Sequence, residues 1–524
     1  MHNIIIRTNF NEKVGLGHIF RMKNLAKELS KNSRLTFYLD KYSELAEKIL
    51  NYNFEYLYKK NEKFKGQKDD SLKLKKRIKG KKIDCIIVDD YRFDESWEKT
   101  FYKIYPVVVF DDNNIKNHRC DIIIDAKWEG VNTSNRYKNL VDKNTLKLLG
   151  PEFSIIHTKK TNQSKVYSFN ILFYIGGGGN YKRYYNFLKK FSETLKENKN
   201  CKIFVVSGPL VNKKEQSQLI EFEKKFNNIK IIKNNFNIPK LLIDINLYVG
   251  VASSIIYELN HHNILSVLFS NAENQKNDIT NLADLGFNFL IKKQDLFLRT
   301  QKVSKLLILI LKNYKRLKYS TKCKLHVDKN GSKKISKLII NLIDKDLVKL
   351  TKFKRLNVKD KYLKKKMIYK KDGIYKIKDS ELNNYLISRN LKANLKNSIN
   401  TKKITNLDHY IWWLTQKNKL FYFIRKNKIR IYLNHRRISI NKKQYYYGGW
   451  FISKNQTILS DFFTIINWQI KKFNKYPWLA IIKKKNYFVY KLNSYLKFKK
   501  ITFNHIYKDF FKIKNVNQYY LLKK

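Results

Sequence analysis

Cysteine is scarce in this chain and widely scattered. Cys85, Cys120, Cys201 and Cys323 form no Cys-x-x-Cys pair. The spacing of a thiolate metal site is therefore missing, and no disulfide framework is expected at 524 residues. Acidic residues are also few: 43 Asp and Glu stand against 109 Lys and Arg, a formal charge of +66. No run approaches the roughly 18 apolar residues that a membrane-spanning helix needs. The opening Met1-His2-Asn3-Ile4 begins no basic leader with a long apolar segment. A soluble, reduced, cytoplasmic protein is expected.

The positive charge at face value suggests nucleic acid or an anionic surface. It comes as lysine rather than arginine and runs along the whole chain, with abundant Asn, Ile, Tyr and Phe. That is the pattern of a drift in composition and not of a focused stripe, so no specific nucleic-acid partner is expected. A basic nucleic-acid-binding protein is the alternative outside enzymes. Hydrophobic residues make up 43% of the chain, which excludes a disordered basic tail. The length calls for two or three domains.

From residue 3 to about 150, apolar runs at 3–7, 34–39, 84–89, 106–110 and 121–125 alternate with helical patterns. Such alternation predicts a parallel sheet with helices on both faces. A second unit of the same kind has strands at 167–175, 202–207, 229–233, 246–250 and 264–269, and a closing helix at 332–346. The expected domains are 1–155 and 156–346, then a lysine-dense linker at 347–372. Residues 373–524 change character and predict an α+β domain with an antiparallel sheet.

Ligands of parallel sheets collect at the carboxyl ends of the strands. After the first strand come Gly15-Leu-Gly17-His18 and Arg21; after later ones come Asp89-Asp90-Tyr91 and Asp111-Asp112. Glycines admit close backbone approach of a ligand, and a helix start offers free amides to an anion. An imidazole there can move a proton near neutral pH. A tight turn with a surface histidine is the plain alternative. In the second unit Gly176-Gly177-Gly178-Gly179 joins a strand to a helix, which suits amides wrapped on phosphate. Gly250-Val-Ala-Ser253-Ser254 is a second phosphate-compatible turn, with Glu258 one helical turn on, placed to accept from a ribose diol. Asn274-Gln275 follow the next strand.

Taken together and in order, these motifs, with Trp97, His118-Arg-Cys120-Asp121 and Gly150-Pro151-Glu152-Phe153, resemble the UDP-sugar hydrolases of pseudaminic acid biosynthesis. The resemblance covers about the first 346 residues. It implies two Rossmann-like domains of the GT-B type and hydrolysis of UDP-2,4-diacetamido-2,4,6-trideoxy-β-L-altropyranose to UDP and free sugar, with neither metal nor cofactor. It casts His18 as the general base, Tyr91 and Asn274 as residues that position sugar or water, and Glu258 as the ribose ligand. Gly15, Gly17, Arg21, Asp89, Gly176, Gly177, Gly178, Ser253, Ser254 and Gln275 complete the implied substrate site. A UDP-sugar-dependent glycosyltransferase is the alternative enzyme, because its UDP site would look the same. Asn9 and Asn180 stand where the family usually carries acidic residues.

The last 150 residues are similar to acetyl-CoA-dependent N-acetyltransferases of the GNAT superfamily, in the branch acting on UDP-4-amino-4,6-dideoxy sugars. The matching positions include Arg389, Asn390, His409 and Asn486. The glycine-bearing pyrophosphate loop is replaced by Lys454-Asn455-Gln456-Thr457. Such a fusion would make the substrate that the first part hydrolyses.

Overall fold

Val, Ile and Leu dominate the first strands because both faces of a parallel sheet are covered. In a computed structural model of the chain, β1 (His2–Thr8), β2 (Ser33–Leu39), β3 (Asn53–Tyr56), β4 (Cys85–Asp89), β5 (Val107–Phe110), β6 (Ile122–Asp125) and β7 (Leu146–Leu149) form one sheet. Its order is β3-β2-β1-β4-β5-β6-β7, parallel throughout. A second sheet holds β8 (Phe169–Tyr174), β9 (Cys201–Ser207), β10 (Ile229–Lys233), β11 (Leu247–Val251), β12 (Leu265–Phe269) and β13 (Phe289–Leu290). It is also parallel, in the order β10-β9-β8-β11-β12-β13. The structure describes residues 1–9, 16–156, 169–177, 180–195, 200–208, 210–233, 238–271, 275–320, 325–327, 329–346, 371–416 and 418–524.

Strand order reverses between β1 and β4 in the first sheet and between β8 and β11 in the second. A crevice opens at the carboxyl ends of strands wherever this happens. Four sequence motifs sit at those two points: the Gly17-His18 turn, Asp89, the glycine loop and the Ser253-Ser254 turn.

The helix Gly331–Ile343 does not pack on the second sheet that precedes it. Its Ile335, Leu338 and Ile339 join Ile19, Met22 and Leu25 of the helix Gly17–Leu29 in the core of the first sheet. Gly331 permits this crossing, since a methyl group there would stand 2.0 Å from the Ser154 carbonyl oxygen.

The chain divides into two compact units, Met1–Ser304 with Thr321–Lys365, and Lys305–Ser320 with Lys366–Lys524. The second contains β14 (Gly373–Lys376), β15 (Lys419–Arg425), β16 (Lys428–Ile440), β17 (Lys443–Ile452), β18 (Trp478–Lys483), β19 (Lys499–Ile501) and β20 (Tyr519–Lys523). They form a sheet in the order β14-β15-β16-β17-β18-β20-β19. The expected antiparallel sheet is corrected here to a mixed one, because β17 and β18 run parallel. The helix Leu459–Lys472 connects them, and a helical crossover returns the chain to the end it left. No described helix is long and apolar enough to cross a membrane.

Candidate functional site

The helix Gly17–Leu29 begins at the switch point of the first sheet and carries His18 and Arg21 one turn apart, on one face. Both turn toward Asp89, the last residue of β4, which is fully buried. His18 Nδ1 lies 2.5 Å from Asp89 Oδ1. Arg21 donates to the same carboxylate from Nε at 2.9 Å and from Nη2 at 2.5 Å. Burial alone would raise the Asp89 pKa, but the charges of Arg21 and His18 hold it below the usual carboxylate range. An ionised Asp89 can only accept, so the imidazole donates its Nδ1–H to it. Nε2 is then the ring nitrogen left to exchange a proton with a ligand.

Arg21 reaches further, from Nη1 to Asp112 Oδ2 at 2.8 Å. The Tyr91 hydroxyl donates to that same oxygen. Its ring stands edge-on to His18, centroids 4.4 Å apart. Burial, and then the charge of Asp112, push the Tyr91 phenol well above its ordinary pKa. His18, Asp89, Arg21, Asp112 and Tyr91 therefore close into one ring of contacts.

Consecutive residues at a strand end point in opposite directions. Each Asp-Asp pair is divided accordingly, with only one member in this ring. Asp90 instead takes Arg92 Nη2 at 2.5 Å, and Arg92 also forks onto Asp40 with two bonds of 2.8 Å. Asp111 accepts the amides of Asn113 and Asn114 and the hydroxyl of Tyr137. These two carboxylates shape turns.

In the second sheet, Gly176 has φ +113° and turns the chain out of β8. A methyl group on Gly177 would come 3.3 Å from the Leu16 side chain, so the two glycine turns face one another. Ser253 is half-buried and Ser254 exposed at the start of the helix Ile255–His261. Glu258 is buried in that helix, and its pKa is pushed up to about 8 by burial. Tyr257, beside it, donates to the Ala126 carbonyl at 2.7 Å just after β6, joining the two sheets across the cleft. Gln275 Oε1 accepts the Asn271 amide at 2.8 Å and braces its own loop. Gly15, Gly178 and Asn274 lie outside the described residues. Among the described residues no group of three or more His, Cys, Asp or Glu side chains could hold a metal ion.

Sequence reasoning missed Arg136 and Tyr257, and named Asp111-Asp112 without choosing between them. Asp112 stands beside Asp111 with nothing to tell them apart. Arg136 donates 2.9 Å to the Asp112 carbonyl from a loop without periodicity, and Tyr257 comes from the helix Ile255–His261 that follows β11. In the second unit, Asn390 is bonded in both directions to Ile404, and His409 Nε2 stands 2.9 Å from the Leu382 carbonyl. Burial pushes His409 down to about 4. Arg389 is half-buried, and Asn486 stands at the start of the helix Tyr487–Tyr495.

No family model matches the chain. It is 25% identical over 272 residues to an uncharacterized protein of Methanocaldococcus jannaschii, covering 49% of this chain and 53% of that protein. The chain thus spans about half the length of that relative. It is 26% identical over 294 residues to the UDP-2,4-diacetamido-2,4,6-trideoxy-beta-L-altropyranose hydrolase of Campylobacter jejuni, covering 54% of this chain and 97% of the hydrolase. Among solved structures, the MurG of Acinetobacter baumannii superposes with a TM-score of 0.45 at 12% identity, over 65% of this chain and all of that one. The UDP-GlcNAc 2-epimerase of Neisseria meningitidis, bound to UDP-GlcNAc, gives the same values. Superpositions this loose assign no activity to the chain.

Proposed function

We propose that the first unit hydrolyses a UDP-linked 2,4-diacetamido-2,4,6-trideoxy sugar to UDP and free sugar, a step of pseudaminic acid biosynthesis. The observation that carries this reading is the His18–Asp89 pair at the switch point of the first sheet, 2.5 Å apart. With Nδ1 held, His18 Nε2 is the base for a water that attacks the anomeric carbon. The glycine loop and the Ser253-Ser254 turn, across the cleft, would take the charge that develops on departing UDP, and Glu258 the ribose. Similarity to the Campylobacter hydrolase over nearly its whole length supports the substrate class. The test is UDP release from the diacetamido UDP-sugar by the purified chain, with and without added magnesium. His18→Ala is expected to abolish release and retain UDP binding. UDP binding without release from the wild type would favour a glycosyltransferase. Neither binding nor release would overturn the reading.

For the second unit we propose acetyl-CoA binding, and N-acetylation of the UDP-amino-sugar precursor, on a separate observation. The parallel strands β17 and β18 pair only at Tyr446 with Trp478 and Tyr447 with Leu479, then part. A Cβ added at Gly449, just beyond, would meet nothing within 4 Å among the described residues. The gap offers the β17 edge to an extended acyl-pantetheine chain. The Asn455 and Ile458 amides are already taken, by Ser453 Oγ and by Asp461 Oδ2 at 3.0 Å each, so the diphosphate would rest on the amides of Lys454, Gln456 and Thr457. Calorimetric titration with acetyl-CoA tests this, and absence of binding at millimolar ligand overturns it.

A further inference from the structure

Asp112 follows β5 in a turn that its neighbours hold rigidly. Asp111 accepts the Asn113 and Asn114 amides at 3.2 and 3.0 Å. Arg136 Nη2 donates 2.9 Å to the Asp112 carbonyl oxygen. The Asp112 carboxylate is a quarter exposed, yet a single oxygen of it takes both the Tyr91 hydroxyl and Arg21 Nη1. A phenol has one hydrogen to give, and Tyr91 gives it to Asp112. The lone pairs of its oxygen can then only accept.

We propose that Asp112 is a positioning residue of this site: by holding the Tyr91 hydrogen it makes Tyr91 an acceptor for an N–H or O–H donor of the bound sugar. For a diacetamido sugar the fitting donor is an acetamido N–H. That identification rests on the hydrolase reading, whereas the Tyr91–Asp112 hydrogen bond stands apart from it. The same carboxylate also holds the outer nitrogen of Arg21, whose other two nitrogens keep Asp89 against His18. Loss of Asp112 is therefore felt at both ends of the ring. Among the described residues, His18, Asp89, Arg21 and Asp112 surround the Tyr91 side chain, Lys116 Nζ lies on its carbonyl oxygen at 2.8 Å, and Asp90, Glu98, Asp111 and His118 line the same cavity.

The experiment uses the full chain labelled with 13C at tyrosine Cζ, the Tyr91 signal being assigned by its loss in Tyr91→Phe. Wild-type Tyr91 is expected to stay protonated beyond the ordinary tyrosine value of about 10. In Asp112→Asn its midpoint should fall by at least about one unit. With the diacetamido UDP-sugar, Asp112→Asn should lower kcat by ~10- to 100-fold, with the affinity for UDP unchanged. Asp112→Glu keeps the charge, so Tyr91 should stay protonated as in the wild type while kcat still falls. An unchanged Tyr91 midpoint in Asp112→Asn overturns the hydrogen-bond assignment. Wild-type kcat in both Asp112 variants overturns the positioning role. If the wild type does not turn the sugar over, the hydrolase reading fails by itself. The proposal is then decided by the tyrosine signal and by sugar binding, which Asp112→Asn must weaken.

Discussion

Arg21 grips Asp89 with Nε and Nη2 and Asp112 with Nη1, so one planar guanidinium spans two carboxylates of neighbouring strands. A lysine has a single nitrogen and cannot reproduce that fork. Among the described residues, Arg21→Ala would leave the carboxylate of Asp89, fully buried, with His18 as its one remaining side-chain partner. Removing one member of a buried pair costs about 3–5 kcal/mol, and a loss near the lower figure is expected because the Arg21 side chain is 17% exposed. Urea unfolding of Arg21→Ala and Arg21→Lys measures it. A loss below about 1 kcal/mol in both would mean that the ring of contacts contributes little to the fold.

A second prediction concerns pH and uses groups outside the site. His118 Nδ1 lies 2.7 Å from Glu98 Oε1, and its Nε2 lies 3.6 Å from Asp111. Burial alone would lower its pKa, but the neighbouring carboxylates of Asp111 and Glu98 raise it to about 9. The folded value exceeds the unfolded one of about 6.5. The stabilisation is therefore complete below pH ~6.5 and disappears as pH rises through about 9. Denaturation midpoints of the wild type and His118→Gln should differ most at pH 6 and converge at pH 10. Parallel curves across that range would show that His118 is not charged in the native state.

The elements that carry the chemistry were legible because each follows an uninterrupted apolar run. His18 and Arg21 trail β1, Asp89 ends β4, and Tyr91 stands two residues on. What the letters did not show is how these groups are spent. Asp89 and Arg21 read as substrate ligands, yet their hydrogen bonds go to one another and to His18 and Asp112. Lysine also masked structure: the helix Gln67–Ile78, QKDDSLKLKKRI, lies between the predicted strands at 34–39 and 84–89 with no apolar run to mark it. Its Asp70 is fully buried and accepts from Arg7, Tyr58 and Trp97. Parallel pairing of β17 with β18 depends on where the intervening helix returns the chain, which no local pattern encodes.

Glu258 should behave in the opposite sense to His118. Burial lifts its pKa to about 8, so the folded state holds a proton that the unfolded chain releases near pH 4.3. Its presence costs stability increasingly as pH rises from that value toward 8. Glu258→Gln should therefore come closest to the wild type near pH 4 and exceed it in stability at pH 9. If the residue accepts from a ribose diol, the same variant should bind UDP more weakly at pH 8, by roughly tenfold for one lost charge-assisted bond. Unaltered UDP affinity would assign Glu258 to packing alone.

Two glycines separate the demands of the fold from those of a ligand. A methyl group at Gly208 would stand 2.0 Å from the Gly177 carbonyl oxygen. Backbone on both sides must then shift, so Gly208→Ala should destabilise the chain by about 1–3 kcal/mol and disturb UDP binding together with it. Gly17 differs: a methyl group there meets nothing within 4 Å among the described residues, and the residue is exposed at the first position of its helix. Gly17→Ala should leave stability unchanged or raise it by up to about 1 kcal/mol. Any loss it causes must then come from a ligand that approaches the backbone more closely than a Cβ allows. Thermal denaturation and UDP-sugar turnover of this one variant decide the matter. Retained stability with turnover lowered at least tenfold means that the glycine serves the ligand; retained stability with full turnover means that it only starts a helix.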